Sequence, residues 1–205
     1  MDAPPPCPTS VLVIRHGEDI PRRPGRDEDS PLTDLGEAQA HAVACRLARR
    51  PVAALYTAPS VRARATAEVI GRAISREPVV IPNLGHQRYR QSLTRSERLD
   101  NALRWLSYRV AFGLGPLSMV EPFRIHDRRL IRGVAGLAAA HPGKTVAVVG
   151  YRPTALALLR GSGERSGPIP DMGSISEFRL DGWDIEAVSF GDTAHLAGLV
   201  GTPRP

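Results

Sequence analysis

The chain predicts an α/β fold with a mostly parallel central sheet, and three observations carry that prediction. Apolar runs of strand length recur along the sequence. Segments with helical spacing of apolar residues separate them. Two of the runs end in residues that carry chemistry, Arg15-His16-Gly17 and Gly150-Tyr151. Strands that alternate with helices form parallel sheets covered on both faces. Ligands of such sheets bind beyond the carboxyl ends of the strands, where both of these tails fall.

Val11–Ile14 is the first strand candidate, and the loop Asp19–Ser30 that follows is rich in proline, arginine and acids. Thr33 is placed to cap the first helix, on which Ala40, Val43, Ala44 and Leu47 form an i, i+3, i+4, i+7 face. Ala53–Thr57 is the second strand. Ser60 then caps a second helix that carries Arg62 in its first turn and Ala65, Val69, Ile70, Ala73 and Ile74 on its apolar face. Val79–Ile81 is a third, short strand. Residues 83–121 are the least regular stretch and are expected to form a lid insertion over the strand ends. Leu130, Val134, Leu137 and Ala138 mark a further helix, stopped by His141-Pro142-Gly143. The strands Thr145–Val149, Ser176–Leu180 and Ile185–Phe190 complete the set.

A length of 205 residues suits one domain, expected over residues 9–205 behind a disordered proline-rich tail at residues 1–8. No apolar run approaches the ~20 residues that cross a bilayer, and the start lacks the pattern of a signal peptide. Cys7 and Cys45 are too few for a disulfide framework. A cytoplasmic protein with no membrane partner is expected. The net charge of +6 comes almost wholly from arginine, Lys144 being the only lysine. No run interleaves arginines with aromatics, so nucleic acid is not expected as a partner and most arginines read as solvated surface. A small anionic substrate is the expected partner, with a homodimer possible.

The tail of the first strand is built for an anion. Arg15 offers a rigid fork of donors, His16 an imidazole able to act as a nucleophile at neutral pH, and Gly17 room for close approach of the backbone to a ligand. Arg62 sits where the free N–H groups and dipole of a helix start also favour an anion.

These stretches, with Leu32-Thr33-Asp34-Leu35-Gly36-Glu37-Ala38-Gln39-Ala40, Ser60-Val61-Arg62 and Asp192-Thr193-Ala194-His195-Leu196, resemble the histidine phosphatase superfamily, also called phosphoglycerate mutase-like proteins. The resemblance runs from about Val11 to Leu196. It implies a three-layer α/β/α fold, His16 as the residue that takes up a phosphoryl group, Arg15 and Arg62 on the transferred oxygens, and neither metal nor cofactor. Thr33, Gly36 and Gln39 are expected to be structural, and His195 to pack or hydrogen-bond near the core.

Three positions depart from the family pattern. Tyr151 stands where the second family histidine would follow the Val148-Val149-Gly150 strand, and the next residue is Arg152 in place of a glycine. A tyrosine hydroxyl can donate a hydrogen bond but stays neutral; Arg152 would restore the charge if it points inward. The family's glutamate proton donor is missing. His86 falls at its place, to be either a general acid or a lid histidine without chemistry. Asp19 replaces the usual Thr or Asn after the Arg-His-Gly-Glu run, where a carboxylate would repel a phosphate dianion, engage a cationic or hydroxylated part of the substrate, act as a general base, or simply face solvent from an exposed loop. The expected function is hydrolysis of a small phosphorylated metabolite. The alternatives are an enzyme repurposed for other chemistry on the same anion pocket and an inactive pseudophosphatase.

Overall fold

The computed structural model describes residues 7–20, 30–85, 123–164 and 167–199. Six strands, β1 (Thr9–Arg15), β2 (Val52–Thr57), β3 (Pro78–Val80), β4 (Thr145–Gly150), β5 (Ile175–Asp181) and β6 (Asp184–Asp192), form one sheet in the order β3-β2-β4-β1-β5-β6. The pairs β2–β3, β2–β4 and β1–β4 are parallel, whereas β1–β5 and β5–β6 are antiparallel. The sheet is mostly parallel, as the alternation of segments predicts. Its antiparallel edge ends in the β5–β6 hairpin, closed by a tight turn in which Gly182 takes a φ of 58°.

Val11–Ile14 on β1 and Val146–Val149 on β4 are at most 1% exposed. Strands buried on both faces carry unbroken apolar runs, and those two runs occupy the centre of the sheet. At the edges, Val79 and Val80 of β3 are exposed.

Among the described residues, four helices cover the sheet: α1 (Asp34–Leu47), α2 (Val61–Ile74), α3 (Phe123–Ala139) and α4 (Arg152–Gly161). The β1-α1-β2 and β2-α2-β3 connections run towards the β3 edge, and the β3-α3-β4 connection runs back. Right-handed crossovers therefore place α1 and α2 on one face and α3 on the other, where α4 packs against it. The result is the three-layer α/β/α arrangement.

The predicted face of α1 is correct: Ala40, Val43, Ala44 and Leu47 are all buried. That of α2 is turned from the prediction. Ala73 is exposed and Ala65 half-buried, while Arg62, Ala63, Thr66 and Ala67 face inward beside Val69 and Ile70. Close packing of α1 on α2 selects small residues, so size decides the contact face more than hydrophobicity does. α4 has no clean helical period, because Ala155, Ala157, Leu158 and Leu159 are buried in near-unbroken succession. Residues 1–6 of the expected tail, and residues 86–121 of the expected lid, lie outside the described residues; Pro82–Leu84 forms a 3-10 turn.

Candidate functional site

Three strand ends meet at one edge. Arg15 and Gly150 are the last partners of β1 and β4. The His16 N–H donates to the Gly150 carbonyl at 3.1 Å, and the Ala58 N–H to that of Val149 at 2.9 Å. Parallel pairing thus brings His16, Tyr151 and the turn Ala58-Pro59-Ser60 together. α2 and α4 both start here.

His16 is only 5% exposed. Its Nδ1 lies 2.7 Å from the Gly17 carbonyl, which can only accept, and its Nε2 lies 3.2 Å from the Arg62 Nε–H, which can only donate. These partners fix a neutral ring with the proton on Nδ1 and a lone pair on Nε2. Arg62 and His16 converge as the order of motifs predicts.

Arg62 is held on several sides. Ser60 caps α2 by accepting from the Ala63 N–H, which puts Arg62 on the helix's buried side, 4% exposed. Its guanidinium carbon lies 5.3 Å from the centre of the Tyr151 ring. Its Nη1 lies 3.9 Å from Asp19 Oδ2. Asp19 is itself fixed by a β-bridge to Leu32.

Tyr151 is buried, and its ring meets His16 edge-on with centroids 5.9 Å apart. Its hydroxyl oxygen accepts from the Ser60 N–H at 3.3 Å. The phenol therefore ties the start of α2 to the end of β4 and forms a floor under Arg62. In Tyr151→Phe a buried N–H loses its acceptor, which costs about 1–3 kcal/mol. We expect a melting temperature several degrees lower, read by calorimetry.

Arg15 donates from Nη1 to the Pro170 carbonyl at 2.7 Å, while its buried Nε has no hydrogen-bond partner among the described residues. Burial above all, then Arg152, pushes its pKa down; Asp171 and Asp19 pull it back up. Arg152, the exposed first residue of α4, is thus within electrostatic reach of Arg15.

Gly17 has a packing role that the sequence did not predict. A Cβ there would fall 2.3 Å from the Gly36 carbonyl oxygen, and a Cβ on Gly36 would fall 2.0 Å from that of Glu18. The bare position admits the start of α1, and the Gly17 N–H is donated to Thr66 Oγ1. Around this contact Thr33 accepts from the Gly36 N–H, and Gln39 Oε1 accepts from the Glu18 N–H at 2.8 Å. The expected structural trio therefore grips the loop that carries His16. His86 lies outside the described residues.

A brace behind the loop has no signature in the sequence. The Gly173 N–H is shared between the carbonyls of Arg15 and His16, at 3.1 and 3.2 Å. The Gly173 carbonyl in turn faces His195 Nε2 at 2.8 Å. The sequence placed His195 near the core but gave no hint of Gly173.

Among the described residues, no cluster of three or more His, Cys, Asp or Glu is placed to hold a metal ion. No helix among them is long and apolar enough to cross a membrane.

Residues 11–193 match the family model of the histidine phosphatase superfamily (branch 1). A probable phosphoglycerate mutase, GpmB, of Photorhabdus laumondii is 38% identical over 77 residues, 36% of each chain. The match thus spans about a third of that relative's length. In three dimensions, phosphoglycerate mutase from Bacillus anthracis superposes with a TM-score of 0.74 at 17% identity, over 95% of this chain and 97% of that one. A mycobacterial glucosyl-3-phosphoglycerate phosphatase in complex with inorganic phosphate does so with a TM-score of 0.65 at 19% identity, over 91% and 98%.

Proposed function

The chain belongs to the histidine phosphatase superfamily, and from that premise we propose that it hydrolyses a small phosphorylated metabolite through a phosphoryl group carried on His16. One observation carries the proposal: the His16 Nε2 lone pair is bare of a proton and faces Arg62 at a sheet edge. In the first step Nε2 gives up the Arg62 Nε–H to the incoming phosphoryl oxygens and its lone pair attacks phosphorus while the bond to the leaving oxygen breaks. The Nδ1–H to Gly17 bond spreads the positive charge that the ring acquires. In the second step water attacks the phosphohistidine, the electron pair returns to Nε2, and the proton of the water passes to His86, left neutral by the first step.

Arg15, Arg62 and Arg152 would surround the anion. A cation ~4 Å from an anion is worth ~4 kcal/mol at an effective dielectric of 20. Positioning and charge neutralisation supply most of phosphoryl-transfer catalysis. A mycobacterial protein of the same fold was solved in complex with inorganic phosphate, which is in keeping with an anionic ligand. Tyr151 contributes a neutral platform where the family resemblance puts a histidine, and His86 is assigned the proton for the leaving oxygen.

The test is incubation with a panel of phosphomonoesters, then digestion at alkaline pH and mass spectrometry for phosphate on His16. Its absence during turnover would refute the covalent route. A second reading, a protein on this scaffold without turnover, is favoured by Asp19 beside Arg62, where the carboxylate competes with a phosphoryl group for the guanidinium; it predicts ligand binding without turnover of any ester.

The same carboxylate gives a quantitative expectation. In Asp19→Asn a negative charge leaves the mouth of the site, and orthophosphate should bind about tenfold more tightly by calorimetry. Weaker binding would mean that Asp19 serves instead to hold Arg62 in place.

A further inference from the structure

We propose that His195 is a positioning residue for His16, acting through Gly173 on the peptide units that carry the imidazole. The inference rests on His16 as the reacting group.

His195 lies on the 3-10 turn Ala194–Leu196. Arg46, from the last turn of α1, has Nη1 3.1 Å from His195 Nδ1 and pairs through Nη2 with Asp192 at the end of β6. Arg46 can only donate and the Gly173 carbonyl can only accept. His195 Nδ1 is therefore an acceptor, and Nε2–H donates to Gly173 at 2.8 Å. The ring is neutral, with its tautomer set at both ends. It is the reverse of the His16 tautomer.

Gly173 passes the constraint on. Its φ of 71° is open to glycine at no cost. A Cβ there would press on the Gln39 Cβ at 3.1 Å, and Gln39 holds the Glu18 N–H. With its N–H shared by the Arg15 and His16 carbonyls, and the Ser174 carbonyl accepting from the Arg15 N–H at 3.0 Å, this loop sets the tilt of the peptides on either side of His16. The next peptide supplies the Gly17 carbonyl that keeps the proton on His16 Nδ1. Displacement of Gly173 thus reaches the imidazole through two peptide planes. A shift of about 1 Å at a reacting group can cost roughly a hundredfold in rate.

The charged groups facing His195 are Arg46 from α1 and Asp192 from β6. Burial first, and then Arg46, lowers its pKa against the opposing pull of the Gly173 carbonyl and Asp192. Asp192 itself is held at about 2, mainly by Arg46 and then by the Ala194 N–H, so it stays ionised as His195 titrates. Protonation would remove the acceptor of the Arg46 N–H and set two cations 3.1 Å apart. Because the folded pKa lies below the ordinary 6.5, the unfolded chain takes up the proton first and the stability the neutral ring lends declines as the pH falls below that value. The brace itself stays intact in the folded protein until the pH falls through the lowered pKa.

The test compares His195→Gln, whose amide can donate to Gly173 and accept from Arg46 without titrating, with His195→Leu, which can do neither. Imidazole nitrogen NMR of the full chain at pH 7.5 reads the His16 tautomer, and phosphate release reads kcat and KM. His195→Gln should keep the Nδ1–H tautomer and wild-type kcat within about twofold, the acid-side fall that remains being that of His16 itself. His195→Leu should give mixed tautomers and a kcat about ten- to a hundredfold lower, with KM changed by less than about threefold. A folded His195→Leu with a single Nδ1–H tautomer, or a His195→Gln as impaired as it, would overturn the proposal. Should His195→Leu fail to fold, Arg46→Met, which removes the Nδ1 donor, is read for the same tautomer change. If the wild-type protein releases no phosphate at all, the proposed function fails and the NMR result alone still decides the role of His195.

Discussion

Replacing His16 with alanine is expected to abolish phosphate release, lowering kcat/KM by at least about a thousandfold. The substitution deletes Nε2, the atom with the lone pair towards Arg62, and leaves Arg15 and Arg62 to bind an anion. Loss should therefore fall on kcat, while orthophosphate affinity by calorimetry stays within about threefold of the wild type. His16 is buried and bonded to Gly17, so a stability loss of about 1–3 kcal/mol is expected alongside. Thermal melting must be recorded with the kinetics to separate the two. Undiminished turnover in the alanine variant would move the nucleophile elsewhere and end the phosphohistidine mechanism.

The second large effect is structural. In Gly36→Ala the new methyl would lie 2.0 Å from the Glu18 carbonyl oxygen and 2.9 Å from the Glu18 backbone nitrogen. Both neighbours are backbone, so no side chain can swing aside. Either α1 or the Arg-His-Gly-Glu loop must move, and the loop carries His16. We expect a loss of about 4 kcal/mol or more, a melting temperature at least ~8 °C lower, and a fall in kcat out of proportion to the unfolded fraction. Gly136→Ala is the control. This exposed glycine of α3 has nothing within 4 Å of an added Cβ, so the change should raise stability by up to ~1 kcal/mol. Equal melting temperatures for Gly36→Ala and the wild type would contradict the backbone contact.

The strands were legible because each is a short apolar run whose residues have no other use. All six appear within a residue or two of their predicted limits. The meeting of His16 with Arg62 was legible too, since parallel strands deliver their carboxyl ends to one edge. Other features depend on distances that a sequence does not encode. The role of Gly17 follows from the approach of Gly36, a contact between two segments nineteen positions apart. The buried face of α2 follows from how closely α1 approaches it. Tyr151 was readable as a departure, but not the commitment of its hydroxyl to the Ser60 N–H. The His195–Gly173 brace joins α1, β6 and β1 through a backbone carbonyl, a partner that any residue type could have supplied.

The phenol floor under Arg62 makes position 151 a two-sided joint. A histidine there would withdraw the acceptor from the Ser60 N–H and the surface on which the guanidinium of Arg62 rests. A second imidazole introduced in one step would therefore disturb the anchor before adding a charge. The two adjacent turns depend on each other through a single side chain, so neither can be redesigned alone.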